Sequence, residues 1–154
     1  MNFRIEEKIS LTKYDAFNFY ELLKNLGMLK LYEPRIIKSI YFDNNTYSMF
    51  AESEEGVHPR KKIRIREYGN STNSDILFEK KLSTFEGRFK TSKKIDQTSK
   101  KNILKKGYYD KKYGICSPKL IVVYNRSYYK LFGIRITQDK QMEYFNYNNI
   151  NKKV

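Results

Sequence analysis

The chain is poor in the residues that mark many small-protein architectures. Its one cysteine, Cys116, excludes an intrachain disulfide framework and suits a reducing compartment. Three prolines and seven glycines exclude a collagen-like or linker-dominated chain. A Gly-rich phosphate loop is absent, which argues against an ordinary nucleotide-binding α/β enzyme. The longest clean aliphatic run, Leu120-Ile121-Val122-Val123, is far short of a membrane span. The opening, Met1-Asn2-Phe3-Arg4-Ile5-Glu6-Glu7-Lys8, is charged at once and lacks the apolar core of a secretory leader. Acidic residues are scarce too: 17 stand against 31 Lys and Arg, a net charge of +14. Aromatic residues are abundant, with 14 Tyr and 10 Phe, which is too apolar for a disordered polycation. The expectation is one basic, cytoplasmic domain of 154 residues with an anionic partner.

Period-two alternation predicts a strand over 3–11, with Phe3, Ile5, Ile9 and Leu11 on one side and Arg4, Glu6, Lys8 and Ser10 on the other. Thr12 and Asp15 resemble a capping box for a helix carrying Ala16, Phe19, Tyr20, Leu23 and Leu26, with Gly27 as its stop. Further strands are expected at 36–43, 60–68, 75–83, 87–94, 119–129 and 133–139. Turns fall at Phe85-Glu86-Gly87 and near Gly133, and 69–74 reads as a loop. Residues 96–117 read as a short helix and loop, and 146–154 as a polar, frayed tail. With no internal repeat or linker, residues 1–145 form one domain. About seven strands, one or two helices and short connections give an α+β, mainly antiparallel fold, a sheet or barrel.

Charge placement on these strands is the informative feature. Arg60, Lys62, Arg64 and Arg66 share one face of 60–68, opposite Ile63 and Ile65. Glu79 and Lys81 oppose Ile76, Phe78 and Leu82; Arg88 and Lys90 flank Phe89. Arg126 alternates with Val123 and Asn125, and Arg135 and Asp139 with Ile134 and Ile136. An ordinary half-exposed sheet predicts mixed signs, because like charges repel across the ladder. Cations dominate here, so the sharper expectation is a curled sheet whose charged faces turn inward around a compact polyanion. Arg forks and Lys point charges suit linked phosphates. The few carboxylates among them, Glu6, Glu79 and Asp139, are either ligands for a hard divalent cation or salt-bridge partners of the neighbouring Arg.

In family order, several segments resemble the strands of the VTC domain, the polyphosphate polymerase branch of the triphosphate tunnel metalloenzymes. Arg4-Ile5-Glu6-Glu7-Lys8 resembles its opening Glu-x-Lys strand, and Ser39-Ile40-Tyr41-Phe42-Asp43 its Ser-Ile-Tyr-Phe-Asp strand. Arg60 to Tyr68 resembles the Arg-x-Lys-x-Arg-x-Arg-x-Tyr strand, and Phe78-Glu79-Lys80-Lys81 the Leu-Glu-x-Lys strand. Val123-Tyr124-Asn125-Arg126 and Arg135-Ile136-Thr137-Gln138-Asp139 resemble the late Tyr-x-Arg and Arg-x-Thr-x-Asp strands. The resemblance covers roughly 3–145 and rests on the ordered set, each motif being weak alone.

The resemblance implies an antiparallel tunnel barrel of eight strands that binds ATP, triphosphate or polyphosphate. The implied reaction transfers the γ-phosphoryl of ATP to a growing chain with Mn²⁺ or Mg²⁺. Lys8, Arg64 and Arg66 would then be catalytic. Arg60, Lys62, Lys81, Lys90, Arg126 and Arg135 would hold phosphates, and Glu6, Glu79 and Asp139 the metal.

There are departures from the family pattern. Ile9 stands where many relatives have Tyr, and Lys80 replaces an aliphatic residue. No closing Glu-x-Lys strand follows Asp139, which predicts an incomplete barrel whose open edges invite a second chain. A phosphate-binding module without turnover and a triphosphate hydrolase are the alternatives, and a specific nucleic-acid binder ranks last. His58 reads as a solvated loop residue and Cys116 as an inert thiol.

Overall fold

A computed structural model of the chain describes residues 6–69 and 75–153. In chain order the elements are α1 (Lys13–Asn25), β1 (Leu29–Asp43), α2 (Ser48–Glu54), β2 (Arg60–Tyr68), β3 (Ile76–Ser83) and β4 (Arg88–Ile95). Then come α3 (Gln97–Lys106), β5 (Tyr108–Asp110), β6 (Gly114–Leu131), β7 (Ile134–Asn146) and β8 (Asn149–Lys153). The sheet runs β4-β3-β2-β1-β6-β7-β8, with β5 paired to β6 beside that path. The class is α+β, mainly antiparallel, with three helices among the described residues rather than one or two. No pairing among the described residues joins β4 to β8, so the sheet is not closed by its ladder.

The chain divides into two compact units. The first takes residues 1–33 and 127–138. Thr12 caps α1 there: its Oγ1 accepts from the Asp15 amide at 3.1 Å and donates to Asp15 Oδ2 at 2.6 Å. Leu23 is the helix's buried residue, and Tyr20 meets Tyr129 edge to face at 5.7 Å. The strand expected over 3–11 is not found where the structure describes it. Residues 6–12 are irregular and exposed, and 3–5 lie outside the described residues. Alternation makes a strand only where its apolar side finds a cover. Ile9 and Leu11 find none, and the Thr12 cap fixes the helix start instead.

The second unit, residues 34–126 and 139–154, holds the main core. Strands β2 and β3 supply Ile63, Ile65, Ile76 and Phe78, and β1 supplies Ile40 and Phe42. Helix α2 adds the buried Met49, and α3 lays Ile103 and Leu104 against the same cluster. These helices cover the apolar face, as the alternation requires. Helix α2 was not legible because it is only seven residues long. It starts because Asp43 accepts from the amides of Met49 at 3.0 Å and Phe50 at 2.9 Å. Helix α3 is capped by Asp96, whose Oδ1 accepts from the Ser99 amide at 2.7 Å.

Strand β2 matches its expected span of 60–68, and the β3–β4 hairpin turns where expected, with the Thr84 amide donating to the Gly87 carbonyl at 2.8 Å. Of the loop expected at 69–74, residues 70–74 lie outside the described residues. The frayed tail is corrected: after a turn at Tyr147-Asn148 the chain returns as β8, antiparallel to β7, with Asn146 opposite Asn149. Backbone hydrogen bonds suffice for an edge strand, so its polar sequence is no obstacle. The domain boundary expected at 145 therefore falls inside β7. A last strand is present, but it reads Asn-Ile-Asn-Lys-Lys and carries no Glu.

Candidate functional site

The register of β1 to β4 sorts one face of the second unit into cross-strand rows. Tyr41, Arg64, Glu79 and Ser92 form one row, and Ser39, Arg66, Leu77 and Lys94 the next. Lys62, Lys81 and Lys90 stand directly opposite one another across three strands. Arg60, Ser83 and Arg88 form the row nearest the β3–β4 hairpin. Alternation puts every one of these side chains on the face away from Ile63 and Ile65.

In the inner rows Ser39, Arg64, Arg66 and Glu79 are buried and already paired, while Ser92 and Lys94 on β4 are exposed. Glu79 is completely buried. Its Oε2 accepts from Arg64 Nε at 2.7 Å and lies 2.6 Å from the second guanidinium nitrogen, while Oε1 meets the Lys90 ammonium. Arg64 also donates to the Tyr41 hydroxyl at 3.0 Å. Arg66 lies 4.0 Å from Glu79 Oε2 and donates to Ser39 Oγ and the Tyr124 hydroxyl, each at 3.3 Å. Arg126 stacks over the Tyr124 ring and makes a two-pronged pair with Asp139, both bonds 2.6 Å. Tyr41, Ser39 and Tyr124 were thus missed as site residues. Their signal was their place at alternate positions in strands that also carry the motifs.

Electrostatics follow from this packing. Burial would raise the Glu79 pKa, but Lys90 and Arg64, with help from Arg66, outweigh it and hold the carboxyl below its usual range. Arg64 is desolvated too, yet Tyr41 and Glu79 push its pKa further up, so it stays a cation. Lys81 is different. Desolvation by its surroundings and the charges of Arg64, Arg66 and Lys90 pull it down to about 8. Like charges in register are unfavourable. Of the Lys62–Lys81–Lys90 row, Lys90 alone makes an ion pair among the described residues, with Glu79.

The outer rows are exposed. Lys62, Lys81, Lys90 and Arg88 all lie open to solvent, and Arg60 is half-buried. The expectation that the cations turn inward together is therefore met by Arg64 and Arg66 only. Depth along β2 decides the difference, because residues 63–66 are covered on both faces and its first three residues are not. Lys80, the departure from the family pattern, points to the other face, where its ammonium donates to the Tyr108 hydroxyl at 3.1 Å and lies over that ring. His58 is not a solvated loop residue. It is half-buried, its Nε2 lies 3.0 Å from an Arg60 guanidinium nitrogen, and its ring meets Phe85 at 5.0 Å. Lys8, Glu6 and Arg135 are exposed members of the first unit.

The carboxylates do not fit a divalent cation. Glu79 is occupied by Arg64 and Lys90, and both Asp139 oxygens by Arg126. Among the described residues no three of His, Cys, Asp and Glu come together. A hard cation needs several free oxygens, and here Glu79 and Asp139 already neutralise protein cations, while Glu6 is an exposed residue of the first unit. Of the two sequence readings, salt-bridge partner is the one this arrangement supports for Glu79 and Asp139. Among the described residues no helix is long and apolar enough to cross a membrane. The family model described as VTC domain matches residues 3–153, nearly the whole chain and past the expected boundary at 145. No curated protein matches the chain.

Proposed function

The chain belongs to the VTC domain family, and from that premise we propose that it is a polyphosphate polymerase-like domain. It binds ATP, triphosphate or polyphosphate on the basic face of β1 to β4 and moves the γ-phosphoryl of ATP onto the end of a growing chain. The observation that carries this reading is the buried Arg64–Arg66 pair beside the in-register row Lys62–Lys81–Lys90.

A terminal oxygen of the phosphate chain attacks the γ-phosphorus, the bond from that phosphorus to the β-bridging oxygen breaks, and ADP leaves with the electron pair. The nucleophile belongs to the substrate, so no Ser, Cys or His nucleophile is needed. Catalysis then rests on positioning and on neutralising charge at the transferring group. Arg64 and Arg66 suit that task because Tyr41, Ser39, Tyr124 and Glu79 fix their forks before substrate arrives. Lys62, Lys81 and Lys90 hold the flanking phosphates. The family is metal-dependent in general, and Mn²⁺ or Mg²⁺ belongs here to the nucleotide's own phosphates, not to Glu79 or Asp139. Lys8, Arg135 and Glu6 lie in the other unit.

Incubation with ATP and Mn²⁺ yields ADP and polymer on this reading, and Arg64→Ala abolishes both. A second reading, phosphate binding without turnover, is favoured by the consumption of both carboxylates by protein cations. It gives tight tripolyphosphate binding with no ADP. Orthophosphate release from triphosphate without chain growth marks a hydrolase instead.

A further inference from the structure

We propose that the cleft between β4 and α3, on the face of the sheet turned away from Arg64 and Arg66, binds a small aromatic carboxylate, with Lys80 and Lys93 holding its charge. This site goes beyond the phosphate reading and does not depend on it, because the two use opposite faces of β3 and β4.

One face of β3 carries Ile76, Phe78, Lys80 and Leu82, and the same face of β4 carries Phe89, Thr91, Lys93 and Ile95. Cover by a helix makes apolar side chains the expectation at every one of these positions. Each strand breaks the pattern once with a lysine, and Lys80 is also the residue that replaces an aliphatic one in the family pattern. The two lysines are diagonal neighbours, since Lys93 stands opposite Phe78 and Thr91 opposite Lys80. Diagonal Cβ atoms lie roughly 7 Å apart, so two long side chains there can meet on one anionic group.

A cleft of about 580 Å³ lies over these positions, a size typical of small-molecule sites. Phe78, Ile95, Ile103 and Tyr108 give it apolar walls, and among the described residues that line it only Lys80 and Lys93 are charged. The rings of Phe78 and Tyr108 meet at 5.0 Å and 50°, so a planar ligand finds ring edges to pack against.

Neither ammonium is met by a carboxylate. Lys80 is half-buried, yet it donates to the Tyr108 hydroxyl and lies over that ring, both neutral groups. Lys93 is exposed and makes no ion pair among the described residues. The acids next to these elements are committed elsewhere. Both Asp110 oxygens accept from Lys61 at 2.9 Å, Asp96 caps α3 through the Ser99 amide, and Asp75 pairs with Lys94. Two separate ammoniums with no guanidinium fork suit one carboxylate, whereas the arginines of the other face suit linked phosphates.

Calorimetry of the full chain with 2-naphthoate and with neutral 2-naphthamide tests the site. The ring system is shared, so the difference between the two reads the charge. The expected result is one naphthoate bound per chain and naphthamide bound about tenfold more weakly, the loss of a charge-assisted contact. Lys80→Leu and Lys93→Ala each weaken naphthoate about tenfold and leave naphthamide within about twofold. Lys93 is exposed on an edge strand, so its variant carries the test if Lys80→Leu fails to fold. Lys62→Ala, on the opposite face, leaves naphthoate binding unchanged. Absence of naphthoate binding, equal affinity for naphthamide, no loss with Lys93→Ala, or a Lys62→Ala loss that matches it overturns the site. Each of these outcomes leaves the phosphate reading standing, since that reading is tested by tripolyphosphate binding and ADP release.

Discussion

Glu79 and Arg64 face each other across the β2–β3 ladder, and the carboxylate, with no exposed surface of its own, lies 2.6 Å from the guanidinium. The pair joins the two roles of this face. It satisfies a buried charge, and it fixes the fork of the arginine on which the proposed phosphoryl transfer depends. Lys90 and Arg66 complete the ring around the same carboxylate.

Removing that carboxylate leaves three clustered cations with no internal anion. Breaking one side of a buried pair costs about 3 kcal/mol or more. Glu79→Gln is therefore expected to lower stability by that order in urea denaturation. Added tripolyphosphate should recover more stability in the variant than in the wild type, because it replaces the lost negative charge. Equal stabilisation of both proteins by the anion contradicts this account.

Glu79 and Lys81 both make stability rise with pH, each in its own range. The Glu79 pKa is held below its ordinary 4.5 in the folded chain, so its contribution is complete above that value and is lost as pH falls through the folded one. Unfolding on acidification should begin below about 4.5, and Glu79→Gln should flatten that limb. Lys81 sits at about 8 when folded against 10.5 ordinarily. Between those values the unfolded chain binds a proton that the folded chain does not, so stability from this group rises with pH. Anion binding runs the other way, since it favours charged Lys81. Tripolyphosphate affinity should fall as pH rises through about 8, and Lys81→Met should remove that component from a calorimetric titration.

Gly107 closes α3 with φ +77°, and a Cβ there would stand 2.8 Å from the Cys116 carbonyl oxygen and 3.0 Å from Ile115 Cγ2. Gly114 has φ +71° but open space around it. Alanine at 107 meets both the left-handed backbone penalty and a backbone clash, whereas alanine at 114 meets the first alone. The expected costs are about 3 kcal/mol and about 1 kcal/mol, read as the order of thermal midpoints.

Thr12→Ala removes the α1 cap, at a cost of about 1 kcal/mol. Amide exchange should quicken in the first turn of α1 while the amides of β2 keep their protection.

Local pattern made much of this protein legible. The alternation in 60–68 gave β2 to the residue, and Thr12 with Asp15 gave the start of α1. Both rest on forces between near neighbours in the chain. The reading failed where an element depends on a distant cover. Residues 6–11 alternate as cleanly as β2 does but are not a strand, and β8 is one despite its polar sequence.

The order of residues by itself settled that Arg60, Lys62, Arg64 and Arg66 share a face, because the strand repeat is two. It could not settle which of them lie deep. Cover from flanking strands buried Arg64 and Arg66, brought Glu79 and Tyr41 to Arg64, and left Lys62 open. It also turned two metal candidates into counter-ions, since Asp139 met Arg126 and Glu79 met Arg64 and Lys90 only once separate strands were assembled. Spacing along one strand is a local property of the backbone; burial and charge pairing belong to groups that meet only when the chain has folded.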